Sequence, residues 1–164
     1  MKVEQSLVCR AAASPDEVRA YYAIRKRFFV DAQGLFDQTD IEPIDLDPRT
    51  IHIVAICQPA AEVIGTVRCY PGPNGVWFGG RLAVVEEYRA SRLLVGKALV
   101  RKAEELVKER GVKTFVGHIQ LPTVRFFEHL DWLKVGEPSD YAGRPHQLMR
   151  PPWSLEPALP LPSH

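Results

Sequence analysis

Between Gly75 and Gly111 the chain reads GVWFGGRLAVVEEYRASRLLVGKALVRKAEELVKERG, and the order of patterns in this run leaves few ways to fold. It begins with period-two alternation. Val76, Phe78 and, after two glycines, Leu82 and Val84 mark one apolar face, with Trp77, Arg81, Ala83 and Val85 on the other. A polar turn, Glu86 to Arg92, follows. The period then becomes helical: Val95, Leu99, Ala103 and Leu106 share a face while Lys97, Arg101, Glu105 and Lys108 point outward. Gly111 supplies the stop, because glycine accepts the left-handed backbone that ends many helices. Lys113–Gln120 reads as another strand, and a strand–helix–strand unit closes as a right-handed parallel crossover.

A strand, a basic turn and a helix start make a place for an anion. First-turn amides have no carbonyl one turn back and lie at the positive end of the helix dipole. Arg89, Arg92 and Lys97 surround that point, and Gly96 permits close backbone approach.

The flanking chain is read from its punctuation. Residues 2–9 suggest a first strand, and Ser14-Pro15-Asp16-Glu17 a capped helix start continuing to about Val30. Residues 31–50 are irregular and acidic. Residues 51–56 and 62–70 are strands around a Gln-Pro-Ala-Ala turn, which with the strand after Gly75 imply an antiparallel meander and so a mixed sheet. Residues 121–132 hold a short helix, 133–135 and 147–149 a last strand pair joined by a turn-rich loop, and 151–164 a proline-rich tail, extended or partly disordered. One domain over residues 1–150 suits 164 residues that are 46% apolar.

A formal charge of +1 without a basic stripe argues against nucleic acid as partner. No apolar run is long enough to span a bilayer and no signal pattern opens the chain, so a cytoplasmic protein with no membrane partner is expected. Cys9, Cys57 and Cys69 lack metal-ligand spacing, so no metal is expected and reduced thiols are the default. A homodimer is compatible with all of this.

The run RLAV-x-x-x-YR-x(6)-G-KAL resembles the acetyl-CoA-binding motif of the GNAT N-acetyltransferases: a hydrophobic strand, Arg/Gln-x-x-Gly-x-Gly/Ala, then a helix. The resemblance implies that Leu82, Ala83, Val84 and Val85 face pantetheine, and that Arg89, Ala90, Ser91, Arg92, Leu93, Leu94, Val95, Gly96 and Lys97 wrap the diphosphate. With Gly96 as the last glycine, Leu94 stands at the middle one and Ser91 at the leading arginine; with Arg89 as that arginine, the loop is longer than usual. LPTVRFFEHLDW resembles the family's second motif, whose thiolate-protonating tyrosine falls on Phe127, a cofactor neighbour with no proton to give; Gln120 takes an asparagine's place. With IRKRFFVDAQGLF, HIQLPTVRFFEHLDW and GRPHQLM, nearly the whole chain is similar to a GNAT subfamily associated with bacterial nitrogen starvation. The fold implied is α+β, a mixed, mostly antiparallel twisted sheet flanked by helices on both faces, with a splay between the strands around the central helix. The activity implied is acetyl transfer from acetyl-CoA to a small-molecule amine by direct attack. The rival is a catalytically degenerate acyl-CoA sensor or partner-binding module.

Amine attack on a thioester needs a free nitrogen lone pair, a polarised carbonyl and a stabilised thiolate. His118, late in its strand, is the candidate catalytic base, or else a core histidine bonded to a carbonyl; His52 is a weaker second. Arg25, Arg68, Trp77 and Arg81 are candidate acceptor contacts. Arg25 either snorkels or faces a cleft. Arg68 and Arg81 interrupt apolar strands, and Arg81 shares a face with Trp77 if the Gly79-Gly80 pair introduces no bulge. Such arginines would clamp a carboxylate, favouring an amino-acid-like acceptor, or pair internally with Asp40 or Asp45 of the acidic segment, which is itself either a solvated loop or a cover over an amine.

Overall fold

The computed structural model describes residues 3–161. Eight strands, β1 (Ser6–Ala11), β2 (Ile51–Gln58), β3 (Glu62–Pro71), β4 (Val76–Val84), β5 (Thr114–Gln120), β6 (Leu133–Lys134), β7 (Ser139–Tyr141) and β8 (Arg144–Arg150), form one sheet in the order β1-β2-β3-β4-β5-β8-β6, with β7 paired to β8. The helices are α1 (Pro15–Arg25), α2 (Val95–Glu109) and α3 (Val124–His129). β4 and β5 run parallel from Val76 opposite Thr114 to Gly79 opposite Gly117, whereas β1–β2, β5–β8, β6–β8 and β7–β8 are antiparallel. The expected mixed α+β sheet is thus found. The chain divides into two compact units, described separately: one runs to Arg68 and resumes over Arg81–Ala103, the other takes Cys69–Gly80 and the described chain from Glu104 onward.

In the first unit, Ser14 caps α1 by accepting the Glu17 amide at 3.1 Å, and the Glu17 carboxylate accepts the Ala13 amide at 2.8 Å. Glu17 also pairs with Arg10 at 2.7 Å. The Arg10 hydrogen bond, followed by the Ala13 amide, lowers the Glu17 pKa to about 2. α1 passes without a break into a π-helical turn, Lys26–Ala32, where the Gln33 amide reaches back to the Phe28 carbonyl at 3.1 Å. The single helix expected to Val30 is therefore α first and π afterwards. The first strand lies later than expected, at Ser6–Ala11 rather than 2–9, and residue 2 falls outside the described residues. Tyr21, Val54 and Ile56 form a core cluster with Ala12, Tyr22 and Val63 against it. Gly65 on β3 is where the start of α2 comes down on the strand. A methyl group there would lie 2.9 Å from Leu99 Cδ1, 3.1 Å from the Ala83 carbonyl oxygen and 3.2 Å from Val95 Cγ1.

In the second unit, α2 ends as its sequence foretells. Gly111 (φ +79°) donates to the Lys108 carbonyl at 2.9 Å, and Val112 donates to that of Val107 at 3.1 Å, a Schellman closure. Glu104 is buried and accepts both indole N–H groups of its neighbours, Trp132 at 3.1 Å and Trp153 at 2.9 Å. Among its described residues the proline-rich tail forms no helix or strand, yet it is tied down. Ser154 accepts the Phe115 amide at 2.8 Å, Leu155 donates to Lys113 at 2.9 Å, and Trp153 stacks on Phe115. Its last three residues, 162–164, lie outside the described residues. β7 is an addition to the expected strands. It turns into β8 through Ala142 and Gly143, both at positive φ, which suits the right-handed twist of a two-residue hairpin.

Because backbone as well as side chains would meet a Cβ at position 65, Gly65→Val should cost about 1–3 kcal/mol by overpacking. Urea unfolding of the two proteins measures it, with Gly65→Ala falling between them.

Candidate active site

The basic turn belongs wholly to the first unit. After β4, hydrogen bonds from Tyr88 to Val85, Arg89 to Glu86, Ser91 to Tyr88 and Leu94 to Ser91 fold residues 85–94 into successive tight turns. The Ala98 amide then bonds the Leu94 carbonyl at 3.0 Å, opening α2 and making Leu94 its N-cap. Hence the amides of Val95, Gly96 and Lys97 have no carbonyl one turn back. Leu94 sits at φ +51° with its side chain exposed, so a leucine holds the backbone conformation for which glycine is the usual residue. Arg89, Arg92 and Lys97 are exposed around this helix start. Arg89 Nε donates to the Val84 carbonyl at 3.1 Å and its guanidinium lies over the Phe28 ring, 5.1 Å from the centroid. Leu82, Val84 and Val85 are half-buried, Ala83 is buried, and the Val85 amide is already bonded to Ile64 at 2.8 Å.

Arg25, Arg68 and Arg81 come together, but around the chain's own carboxylates. Arg25 is fully buried; its Nε meets Asp40 at 2.7 Å and its two terminal nitrogens meet Asp45 at 2.8 and 3.0 Å. Arg68 meets Asp45 at 3.1 Å and Glu42 at 2.9 Å; Arg81 meets Asp40 at 3.0 Å and Glu42 at 3.1 Å. For Arg68 and Arg81 the internal-pair alternative is the arrangement adopted; Arg25, expected to snorkel or to face a cleft, is instead fully buried in the same set of pairs. Arg81 reaches it through an irregularity in β4: burial alternates at Val76 and Phe78, slips by one residue at Gly79–Gly80, and resumes at Arg81 and Ala83. Arg81 has φ +55°, and the condition for sharing a face with Trp77 is not met. Trp77 lies instead beneath Arg110, 5.9 Å from its ring centroid.

His52 belongs to this cluster. Its Nε2 lies 3.1 Å from the Asp45 carbonyl, which can only accept, so Nε2 carries the proton. Nδ1 then accepts from the Tyr21 hydroxyl at 2.8 Å, and that oxygen accepts from Arg25 at 3.2 Å. Burial lowers the His52 pKa and raises that of Tyr21. Burial alone would raise Asp45, but hydrogen bonds from Arg25 and the charge of Arg68 overcome it and hold the carboxyl well below its usual range. This is a structural histidine.

The second unit carries His118. Its ring lies parallel to Phe78 (5.9 Å, 5°) and to Tyr141 (4.3 Å, 2°), and Tyr70 stacks in turn on Phe78. Tyr141 also meets His146 edge-on at 5.3 Å. Because Gln120 is opposite His146 and Ser139 is opposite His146, the side chains of His118, Tyr141 and His146 share one sheet face. Sequence reasoning passed over Tyr141 and His146: Pro138, Gly143 and Pro145 make the stretch read as loop, and a three-residue strand has too little alternation to detect. Phe127 is buried, with Phe126 and Trp132 edge-on at 5.3 and 5.0 Å.

The sequence profile of the acetyltransferase (GNAT) family matches residues 18–132, well over half of the chain and including the turn and helix start just described. The chain belongs to this family. A Bacillus subtilis (strain 168) protein named as an acetyltransferase is 31% identical over 138 residues, 83% of this chain and 90% of its own length. Among solved structures, a Lactobacillus plantarum protein described as an N-acetyltransferase is 28% identical with a TM-score of 0.74, covering 88% of this chain and 96% of its own. An aminoglycoside 6'-N-acetyltransferase complexed with coenzyme A shares the fold, with a TM-score of 0.69 at 16% identity over 87% of this chain and 94% of its own. With the family goes its class, the acyl-CoA-dependent N-acetyltransferases.

Removing one charge from this GNAT protein's buried cluster leaves its partners uncompensated, so Asp45→Asn should cost about 3–5 kcal/mol in denaturant unfolding. Acid should act in the same direction. His52 and Asp45 both have folded pKa values below their unfolded ones, near 6.5 and 3.8, so their stability contribution is complete above those values. It is lost as pH falls through the folded values. A melting temperature level above about pH 6.5, declining below it and falling more steeply below about pH 4, is the expected profile.

Proposed function

We propose that this protein transfers the acetyl group of acetyl-CoA to the amine of a small molecule by direct attack in a ternary complex. The observation that carries this is the start of α2. There Leu94 has φ +51°, a backbone for which glycine is the usual residue, and the amides of Val95, Gly96 and Lys97 open the helix among three exposed cations. Those amides, with Arg89, Arg92 and Lys97, fit a diphosphate by charge and by donor chemistry. Arg89 commits only Nε to the Val84 carbonyl, so its terminal nitrogens remain for a phosphate. Strand residues Leu82 to Val85 would lie along the pantetheine arm. When bound, acetyl-CoA supplies an activated thioester.

Much of the rate then comes from holding the amine against the carbonyl, since positioning is worth up to about 7–11 kcal/mol. Phe127 has no hydroxyl with which to protonate a leaving thiolate. Arg25, Arg68 and Arg81 are engaged by Asp40, Glu42 and Asp45, so recognition rests on the acceptor's amine rather than on a carboxylate clamp. The motif runs support reading the chain as similar to the nitrogen-starvation-associated members of the family. We also place its work in the cytoplasm, where the free thiols of Cys9, Cys57 and Cys69 would stay reduced.

Calorimetric titration with acetyl-CoA, coenzyme A and longer acyl-CoAs tests the proposal. Micromolar binding is expected, about −8 kcal/mol, with Arg89→Ala and Arg92→Ala each weakening it roughly tenfold. Absence of binding by every acyl-CoA would sink it.

A further inference from the structure

Of the three exposed cations around the start of α2, Arg89 alone is held in place among the described residues. Arg92 and Lys97 have no hydrogen bond, ion pair or ring contact there. Arg89 has a contact on each of two sides. Its Nε donates to the Val84 carbonyl at the end of β4, and its guanidinium carbon lies 5.1 Å from the centroid of Phe28. Phe28 belongs neither to that strand nor to the basic turn; it comes from the π-helical turn Lys26–Ala32. One partner fixes the nitrogen and the other attracts the charge to a ring face, so the two terminal nitrogens are left over.

The ring that does this is itself anchored. The Phe28 carbonyl accepts the Gln33 amide at 3.1 Å, and the Phe29 carbonyl accepts those of Leu35 and Phe36 at 3.0 and 3.3 Å. The wide turn is thus closed by the chain that leaves it. The Phe28 ring meets that of Phe29 edge-on at 5.0 Å, and Phe29 is buried with the Arg81 guanidinium 5.6 Å from its centroid. Phe29 therefore serves the charge cluster, whereas half-buried Phe28 serves Arg89. Turns of the π type are frequent at functional sites, and the charge cluster explains only the Phe29 half of this one.

We infer that Phe28 is a positioning residue for the diphosphate site. Its ring holds the Arg89 guanidinium at the start of α2 before any ligand arrives, and Phe28 acts on the ligand through Arg89. The physical gain is entropic. Ordering a long, exposed side chain on binding has a cost, and an arginine already held in the free protein loses less freedom when its terminal nitrogens meet phosphate oxygens. The role in binding rests on the acyl-CoA site proposed above; the holding of Arg89 in the free protein does not.

The test therefore has two readouts. In the free protein, the Arg89 Nε–H resonance, assigned by its loss in Arg89→Ala, is compared by NMR between wild type, Phe28→Tyr and Phe28→Leu. The ring current acting on it disappears in Phe28→Leu, so the resonance should move there and stay near its wild-type position in Phe28→Tyr. Calorimetric titration with acetyl-CoA reads the consequence. Phe28→Leu should weaken binding about two- to fivefold, the size of one exposed cation–ring contact, and Phe28→Tyr should restore it. In an Arg89→Ala background Phe28→Leu should change nothing, because the double-mutant cycle isolates the pair. A general loosening of the site would instead weaken binding in both backgrounds. If Phe28→Leu unfolds, Phe28→Met, which fills the space without a ring, takes its place. An unmoved resonance, wild-type affinity in the folded variant, or an equal loss without Arg89 overturns the proposal. A wild type that binds no acyl-CoA overturns the transfer reading, and the resonance alone then decides whether Phe28 holds Arg89.

Discussion

Three guanidinium groups and three carboxylates, drawn from separate parts of the chain, neutralise one another inside the first unit. Arg25 comes from α1, Arg68 from β3 and Arg81 from β4, while Asp40, Glu42 and Asp45 all come from the segment between α1 and β2. None of these charges could be buried alone. Together they pin an irregular, largely exposed acidic segment to the unit's interior through Asp40 and Asp45, which are buried, and the half-exposed Glu42. A hydrophobic filling of the same volume would hold as firmly. What ionic pairing adds is selection of one arrangement: each carboxylate binds two different arginines, so displacing the segment by a single residue would unpair several charges at once.

The helix start depends on a different economy, that of space. Gly65 lets α2 settle directly on β3 and next to Ala83, which sets where Val95 and hence the first-turn amides lie. Leu94 accepts a left-handed backbone to make the approach, a strain of about 1–3 kcal/mol for a residue with a Cβ. Strain of this size persists where the surroundings fix it. Here the Leu94 amide is held by Ser91 and its carbonyl by Ala98.

Much of this was legible in the residues. The strand–turn–helix run, the Ser14 cap and the Gly111 stop depend on local chemistry, and local chemistry is what a sequence displays. One of the two alignments of the motif put Leu94 at a glycine position, and Leu94 has φ +51°. Contacts distant in sequence were not legible. Nothing local distinguishes an arginine that clamps a substrate from one that clamps Asp45, and the choice is made by a loop whose path no periodicity reveals. Arg81 shows the limit best: one slipped residue at Gly79–Gly80 exchanges the faces of everything after it. β7 was hidden by its brevity and its prolines, and with it the company of His146.

The chain's three tryptophans, Trp77, Trp132 and Trp153, all belong to the second unit, two of them sharing the carboxylate of Glu104 and one lying under Arg110. Indole emission is therefore a local gauge. It follows the detachment of the tail from Glu104 and says nothing directly about the arginine cluster, whose neighbours are tyrosines, phenylalanines and a histidine. A melt watched by fluorescence and one watched by a backbone signal would see different parts of this molecule, and their coincidence or separation would show whether the two units come apart as one.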